Sequence, residues 1–233
     1  MTTCVILQPS YIPWRGYFHL IQRADVFVFY DDVQYDKHGW RNRNRVKTAN
    51  GTQWLTIPVN ASGNVESGLL LKDARIANAS FAKKHLSTLK QTYARAPFLS
   101  RYAGLLESFY TKKYALLCDF TIDTTRALAA ELGIDKTKFV RSSELMVTGE
   151  RTARLVEIVK RVGATHYISG PSAKDYLDEA AFASQGMTME WMKYDYTEYE
   201  QLHPPFDPFV TVLDLLFMKG AAAPEYIWGK SAP

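Results

Sequence analysis

Short apolar runs alternate along the chain with longer stretches of helical spacing, the pattern of an α/β protein. Residues 4–7 form a brief apolar run that stops at Gln8-Pro9, as a buried strand ended by proline would. Over residues 16–23, Tyr17, Leu20 and Ile21 recur at helical spacing, and residues 26–30 are apolar and strand-like again. A strand, a tight turn, a helix and a second strand in so short a span begin a βαβ unit, and hence a parallel sheet.

Residues 33–58 depart from this rhythm. Asn50-Gly51 lies between the polar stretch 43–48 and the apolar run 54–58, a strong hairpin signal, so a β-ribbon excursion is predicted there. A mainly helical section follows over about 80–132. Ser80 is its expected cap, with a helix to Tyr93; Pro97 breaks it, a second helix covers 98–110, and a third runs over 116–132 to close at Gly133. The α/β rhythm then returns, with strands predicted over 138–141, 167–169 and 187–191 and helices over 152–162, 174–183 and 210–219. The predicted fold is one domain over 1–233, a Rossmann-like parallel sheet with flanking helices, a β-ribbon and a helical middle.

At 233 residues, 47% hydrophobic and 22% charged, the chain is expected to bury its own core. No stretch reaches the roughly 18 apolar residues of a membrane span, so no membrane insertion is expected. Met1-Thr2-Thr3-Cys4 has no basic region before an apolar run, so the expected compartment is the cytoplasm. Cys4 and Cys118 lie far apart within apolar runs and read as buried thiols rather than as a zinc or redox pair. The net charge of +4 favours a small anionic partner without identifying a nucleic-acid binder. Fourteen tyrosines and five tryptophans change the picture more, because many stand among polar residues, as pocket-lining rings do.

Four segments are candidates for chemistry. The first is the loop from Gln8 through Tyr11, Trp14, Arg15 and Gly16. A strand-to-helix turn offers backbone N–H groups to an anion, Gly16 permits close approach and Arg15 adds charge. The second is Asp31-Asp32-Val33-Gln34-Tyr35, where paired carboxylates are suited to orient a hydroxyl, accept a proton, bind an amine or hold magnesium. On a strand only one of the two would face the site. The third is Trp40-Arg41-Asn42-Arg43-Asn44-Arg45. As a strand it puts Arg41, Arg43 and Arg45 on one face for an anion; with Trp40 the one nearby stacking platform, nucleic acid is the lesser reading. The fourth is the turn Ser169-Gly170-Pro171-Ser172, with Lys174 beyond it, a candidate phosphate turn that lacks the glycine spacing of a Walker A loop. Each also has a plain structural reading: a stiffened turn, a solvated turn, an edge strand, a capped helix. The histidines His19, His38, His85, His166 and His203 show no metal-ligand spacing, and of these His38 is the candidate for acid–base work. No metal site is predicted.

Along these motifs the chain resembles the WbqC-like family of bacterial proteins. The resemblance is carried by residues 8–18, Asp31-Asp32-Val33-Gln34-Tyr35, Trp40-Arg41-Asn42-Arg43-Asn44, residues 54–58, Tyr167-Ile168-Ser169-Gly170 and the late Phe209 and Leu213-Asp214. It implies a place in O-antigen or other surface-polysaccharide synthesis, with transfer of glycine or a similar acyl group onto an amino sugar. The partner would then be an anionic nucleotide sugar, with Asp31 or Asp32 taking the amine proton. The donor stays open between glycine with ATP, a coenzyme A thioester, a carrier protein and an aminoacyl-tRNA, and no cofactor is fixed. A looser similarity of outline to the HIGH-type nucleotidyltransferases implies ATP with magnesium, but Trp14 and Tyr17 stand where the two histidines would. A non-catalytic anion- or RNA-binding protein is the remaining alternative.

Overall fold

The structure, a computed structural model, describes residues 1–60 and 68–229. Five strands form one parallel sheet: β1 (Thr3–Leu7), β2 (Val26–Phe29), β5 (Lys138–Arg141), β6 (His166–Ser169) and β7 (Thr188–Trp191). Their spatial order is β5-β2-β1-β6-β7. β1 pairs with both β2 and β6, so Val5 lies between Phe27 and Ile168. All four residues of β2 are buried, as expected of a central parallel strand covered on both faces.

The two-residue pleat divides these strands between two cores. Val5, Phe27, Phe29 and Ile168 face a large cluster shared with α1 (Arg15–Gln22) and the helical section. Cys4, Ile6, Val26, Val28 and Tyr167 face a smaller one, closed by Leu155, Ile158 and Val159 of a helix over Arg151–Arg161. Both cysteines are free and buried. The ribbon is present as predicted: β3 (Arg43–Thr48) and β4 (Gly51–Thr56) pair antiparallel around Asn50-Gly51, apart from the main sheet. Gly51 takes φ +96°, which this turn requires and other residues resist.

Several boundaries differ from the sequence reading. Ser80 is already inside its helix (Ser80–Thr92), and the Oδ1 of Asn78 accepts its N–H at 3.1 Å. The expected helix over 174–183 is cut down to Glu179–Ala183, since Asp178 starts it there by accepting from the Ala180 N–H, and a single turn over Pro171–Ala173 precedes it. The last long helix begins at Val212, since Thr211 caps it through the Leu213 N–H. No described helix is long and apolar enough to cross a membrane.

Candidate functional site

The strand order reverses between β1 and β6, and in open parallel sheets ligands bind beyond the carboxyl ends of the strands at that point. A cavity of about 400 Å³ opens there. Gln8, Ser10 and Trp14 reach it from the connection between β1 and α1, Tyr17 from the first turn of α1, and Gly170 and Ser172 from the turn after β6. Trp40, Arg41 and Asn44 come from the start of the ribbon, and Tyr194 and Phe209 close the far side.

The aromatic wall depends on a glycine. The Trp14 indole lies edge-on to Tyr194 (centroids 4.9 Å apart) and tilted against Phe209 (5.5 Å). It also folds back over Gly16, where a Cβ would sit 2.3 Å from its Cζ2. Gly16 therefore makes room for an indole rather than for a ligand, which corrects the sequence reading. Gly16→Ala is expected to destabilise the fold by about 1–3 kcal/mol through overpacking and to displace Trp14 from the cavity. Urea unfolding together with near-ultraviolet circular dichroism of the tryptophans tests this; a wild-type spectrum and midpoint would sink it.

The ribbon braces the same loop. Ile12 has φ +34°, a costly conformation for a β-branched residue. The buried Asn44 amide donates to the Tyr11 and Ile12 carbonyls at 3.0 and 2.7 Å and holds the turn in that shape.

Arg41 is the cation of the cavity. Its Nη1 donates to the Gln8 carbonyl at 3.3 Å, and its buried Nε has no hydrogen-bond partner among the described residues. No carboxylate forms an ion pair with it among the described residues. Burial pulls this guanidinium below its ordinary value, opposed by the Tyr17 hydroxyl and by the charge of Asp36, yet an arginine stays charged at any working pH. The Tyr17 hydroxyl donates to the same Gln8 carbonyl at 3.1 Å. Tyr194 has its hydroxyl pushed to about 12 by burial, so it is protonated at neutral pH.

Other expected site residues lie elsewhere. Arg15 turns away: its Nη1 donates to the carbonyls of Thr197 (2.8 Å) and Tyr226 (3.1 Å), and its guanidinium lies 4.7 Å from the Tyr196 ring centroid. It ties the C-terminal segments to α1 and does not line the cavity. Tyr11 is fully buried, with its hydroxyl against His85 Nδ1 (2.9 Å) and Tyr110. Burial, with help from Lys84, lowers His85 to about 4, and burial with Arg23 does the same to His19. Both rings are thus neutral in the fold, so their contribution to stability is complete above pH 6.5 and lost as pH falls towards 4. Each adds a slope of up to about 1.4 kcal/mol per pH unit in that window, opposed in part by Asp214, which burial raises. Chemical denaturation between pH 7 and 4 should show this limb and its flattening in His85→Gln; identical profiles would disprove it.

Asp31 and Asp32 do not split between site and core as a strand would dictate, because β2 ends at Phe29. Asp31 is 0% exposed and accepts from Arg141 Nε (2.7 Å), Ser143 N (3.0 Å) and Ser143 Oγ (2.9 Å). Asp32 is paired with Arg154 and shares Ser142 Oγ with Asp31. Neither carboxylate lines the cavity. His38 and Tyr35 border a separate shallow depression with Arg43; His38 is exposed, and burial pushes the Tyr35 hydroxyl to about 12. The row of three arginines is broken because β3 starts only at Arg43: Arg41 enters the cavity, while Arg43 and Arg45 lie over Trp54 on the outer ribbon face. Ser169 is buried at the end of β6, and Lys174 sits over the Trp191 ring at 5.7 Å. Among the described residues no group of three or more His, Cys, Asp or Glu is placed to hold a metal.

Sequence reasoning missed Asn44 as a brace, Phe209 as cavity wall and Asp214 as a buried hub. Asp214 is 0% exposed and accepts from Tyr93 (2.9 Å), Tyr199 (2.8 Å) and Gln201 (3.1 Å). Its signal was available: a lone acid inside the apolar run 210–218.

The sequence model of the WbqC-like protein family matches residues 8–226. An uncharacterized protein of Mycobacterium tuberculosis, Rv1507c, is 38% identical over 229 residues, covering 97% of this chain and 98% of that protein. No solved structure matches.

Proposed function

The chain belongs to the WbqC-like protein family, and from that premise we propose that its switch-point cavity binds a nucleotide-activated amino sugar, onto whose amine the protein transfers a glycyl or similar acyl group. The observation that carries this reading is Arg41, a partly buried guanidinium that forms no ion pair among the described residues, set among aromatic walls at the point where parallel sheets bind nucleotides. A guanidinium fork matches two oxygens of a diphosphate. The rings of Trp14, Trp40 and Tyr194 offer faces to a base or a sugar, and about 400 Å³ falls within the usual range for small-molecule sites.

In the transfer, the amine lone pair attacks the acyl carbonyl carbon and a C–N bond forms. The bond to the donor's leaving group breaks, and that group departs with the electron pair and takes up the amine proton. With Asp31 and Asp32 held by Arg141 and Arg154, the leaving group is the natural proton acceptor in this reading. Tyr194, protonated at neutral pH, is a hydrogen-bond donor to the developing oxyanion. The ATP-using alternative is less favoured, because the Trp14 indole covers Gly16 in the first turn of α1, where a nucleotidyltransferase-like loop would admit phosphate.

Thermal denaturation with a uridine diphosphate amino sugar, ATP with magnesium, acetyl coenzyme A and glycine separates the readings. A nucleotide sugar at one hundred times its Kd is expected to add about 2.7 kcal/mol of stability. A shift with ATP alone would replace the transferase reading with the ligase one. Silence from every nucleotide sugar would remove its substrate.

A further inference from the structure

We propose that the outer face of the β-ribbon is a docking platform for single-stranded nucleic acid, held with one end at the mouth of the switch-point cavity. The register of β3 and β4 places Arg45 opposite Trp54 and Arg43 opposite Thr56, and the pleat puts all four side chains on one face. The other face is anchored by Val46 and Leu55 in the main core, so this one turns outward. Trp40, from just before the strand, lies against Trp54 with ring centroids 5.1 Å apart.

The two indoles are 41% and 42% exposed, unusual for the largest apolar side chain. Arg43 Cζ sits 4.5 Å from the Trp54 centroid, and Arg45 Cζ lies 5.5 Å from Trp40 and 5.8 Å from Trp54. Asp207 pairs with Arg45 at 3.6 Å, Arg43 Nη2 donates to the His38 carbonyl, and Lys47, next on this face, is buried against the Pro205 carbonyl. The Nε atoms of Arg43 and Arg45 still have no partner among the described residues, and their remaining N–H groups are those a phosphate would meet. Trp40 also lines the cavity, as does Phe209, which is 53% exposed. The platform is therefore continuous with the cavity mouth.

A pair of exposed rings flanked by guanidinium groups suits an unpaired strand, whose bases stack on ring faces and whose phosphates meet the cations. A duplex keeps its base faces inside and would leave the indoles uncovered. A neutral saccharide would use the rings but leave the arginines idle. Among the donor carriers that the sequence leaves open, an RNA with its acyl group on a single-stranded end is the one this surface fits. That last step rests on the transferase reading; the docking does not.

The test is fluorescence anisotropy with a labelled twelve-nucleotide RNA ending in CCA, and with its DNA counterpart, at several salt concentrations. Both strands should bind saturably, and a preference for RNA would identify the natural source. Trp54→Ala should weaken binding about 5- to 150-fold, the equivalent of ~1–3 kcal/mol for one stacked base. Trp54→Phe should recover most of it, which separates loss of a ring from a ribbon that fails to form. Arg43→Ala should flatten the slope of log K against log salt by about 0.7. The thermal shift by the nucleotide sugar should survive Trp54→Ala, since Trp54 is outside the cavity, so failure of the platform and failure of the cavity reading give different results. Absence of saturable binding at low salt, unchanged affinity in Trp54→Ala, or full competition by a neutral chitin oligosaccharide would overturn the proposal.

Discussion

Arg41→Ala is expected to weaken binding of a nucleotide diphosphate sugar by about 30-fold or more while leaving the ligand-free protein as stable as before. Truncating one member of a buried charge pair costs about 2–5 kcal/mol, and each 1.4 kcal/mol is roughly tenfold in Kd. In the free protein Arg41 forms no ion pair among the described residues, its Nε has no acceptor, and only a long 3.3 Å bond to the Gln8 carbonyl and the distant charge of Asp36 are lost when it is removed. Arg41→Lys restores charge but not the planar fork and should recover only part of the affinity. Isothermal titration of the sugar and urea unfolding of each variant measure the two halves of this expectation. Wild-type affinity in Arg41→Ala would place the diphosphate elsewhere.

Asp31→Ala is expected to destabilise the fold by about 3–5 kcal/mol, because removing one partner of a buried pair strands the rest. Arg141 Nε, the Ser143 N–H and the Ser143 hydroxyl would all lose their acceptor at the fully buried Asp31 position, with Arg141 keeping only Asp119 on its more exposed side. Asp31→Asn should also be costly, since an amide turned towards Arg141 or Ser143 sets donor against donor. Urea unfolding reads the loss, while the affinity of the folded protein for the nucleotide sugar should stay within about twofold. A variant that is fully stable but inactive would reverse this assignment and return Asp31 to the chemistry, as the sequence motif suggested.

The candidate site was partly legible. Gln8 and Trp14, the turn Gly170-Pro171-Ser172 and the pair Trp40-Arg41 were all found from local pattern, because strand ends, prolines and glycines mark the connections where such sheets bind ligands. Side-chain direction was not legible. Arg15 and Arg41 look equally suitable in the sequence, yet one is consumed by the Thr197 and Tyr226 carbonyls and the other enters the cavity. Those carbonyls lie about two hundred positions along the chain, so no local pattern could weigh them. Trp54 shows the same limit from the other side: only the hairpin register brings it against Trp40 to make a second stacking surface.

The sequence by itself determined the α/β class, the strands of the sheet, the ribbon around Asn50-Gly51 and the family, because these follow from hydrophobic period, turn chemistry and ordered motifs acting over a few residues. Tertiary structure alone decided which charges are free. Asp31, Asp32 and Arg15 find partners from distant segments, whereas Arg41 forms no ion pair among the described residues and feels Asp36 only at longer range. Charge is a property of the residue, but its availability depends on burial and on the company that folding assembles around it.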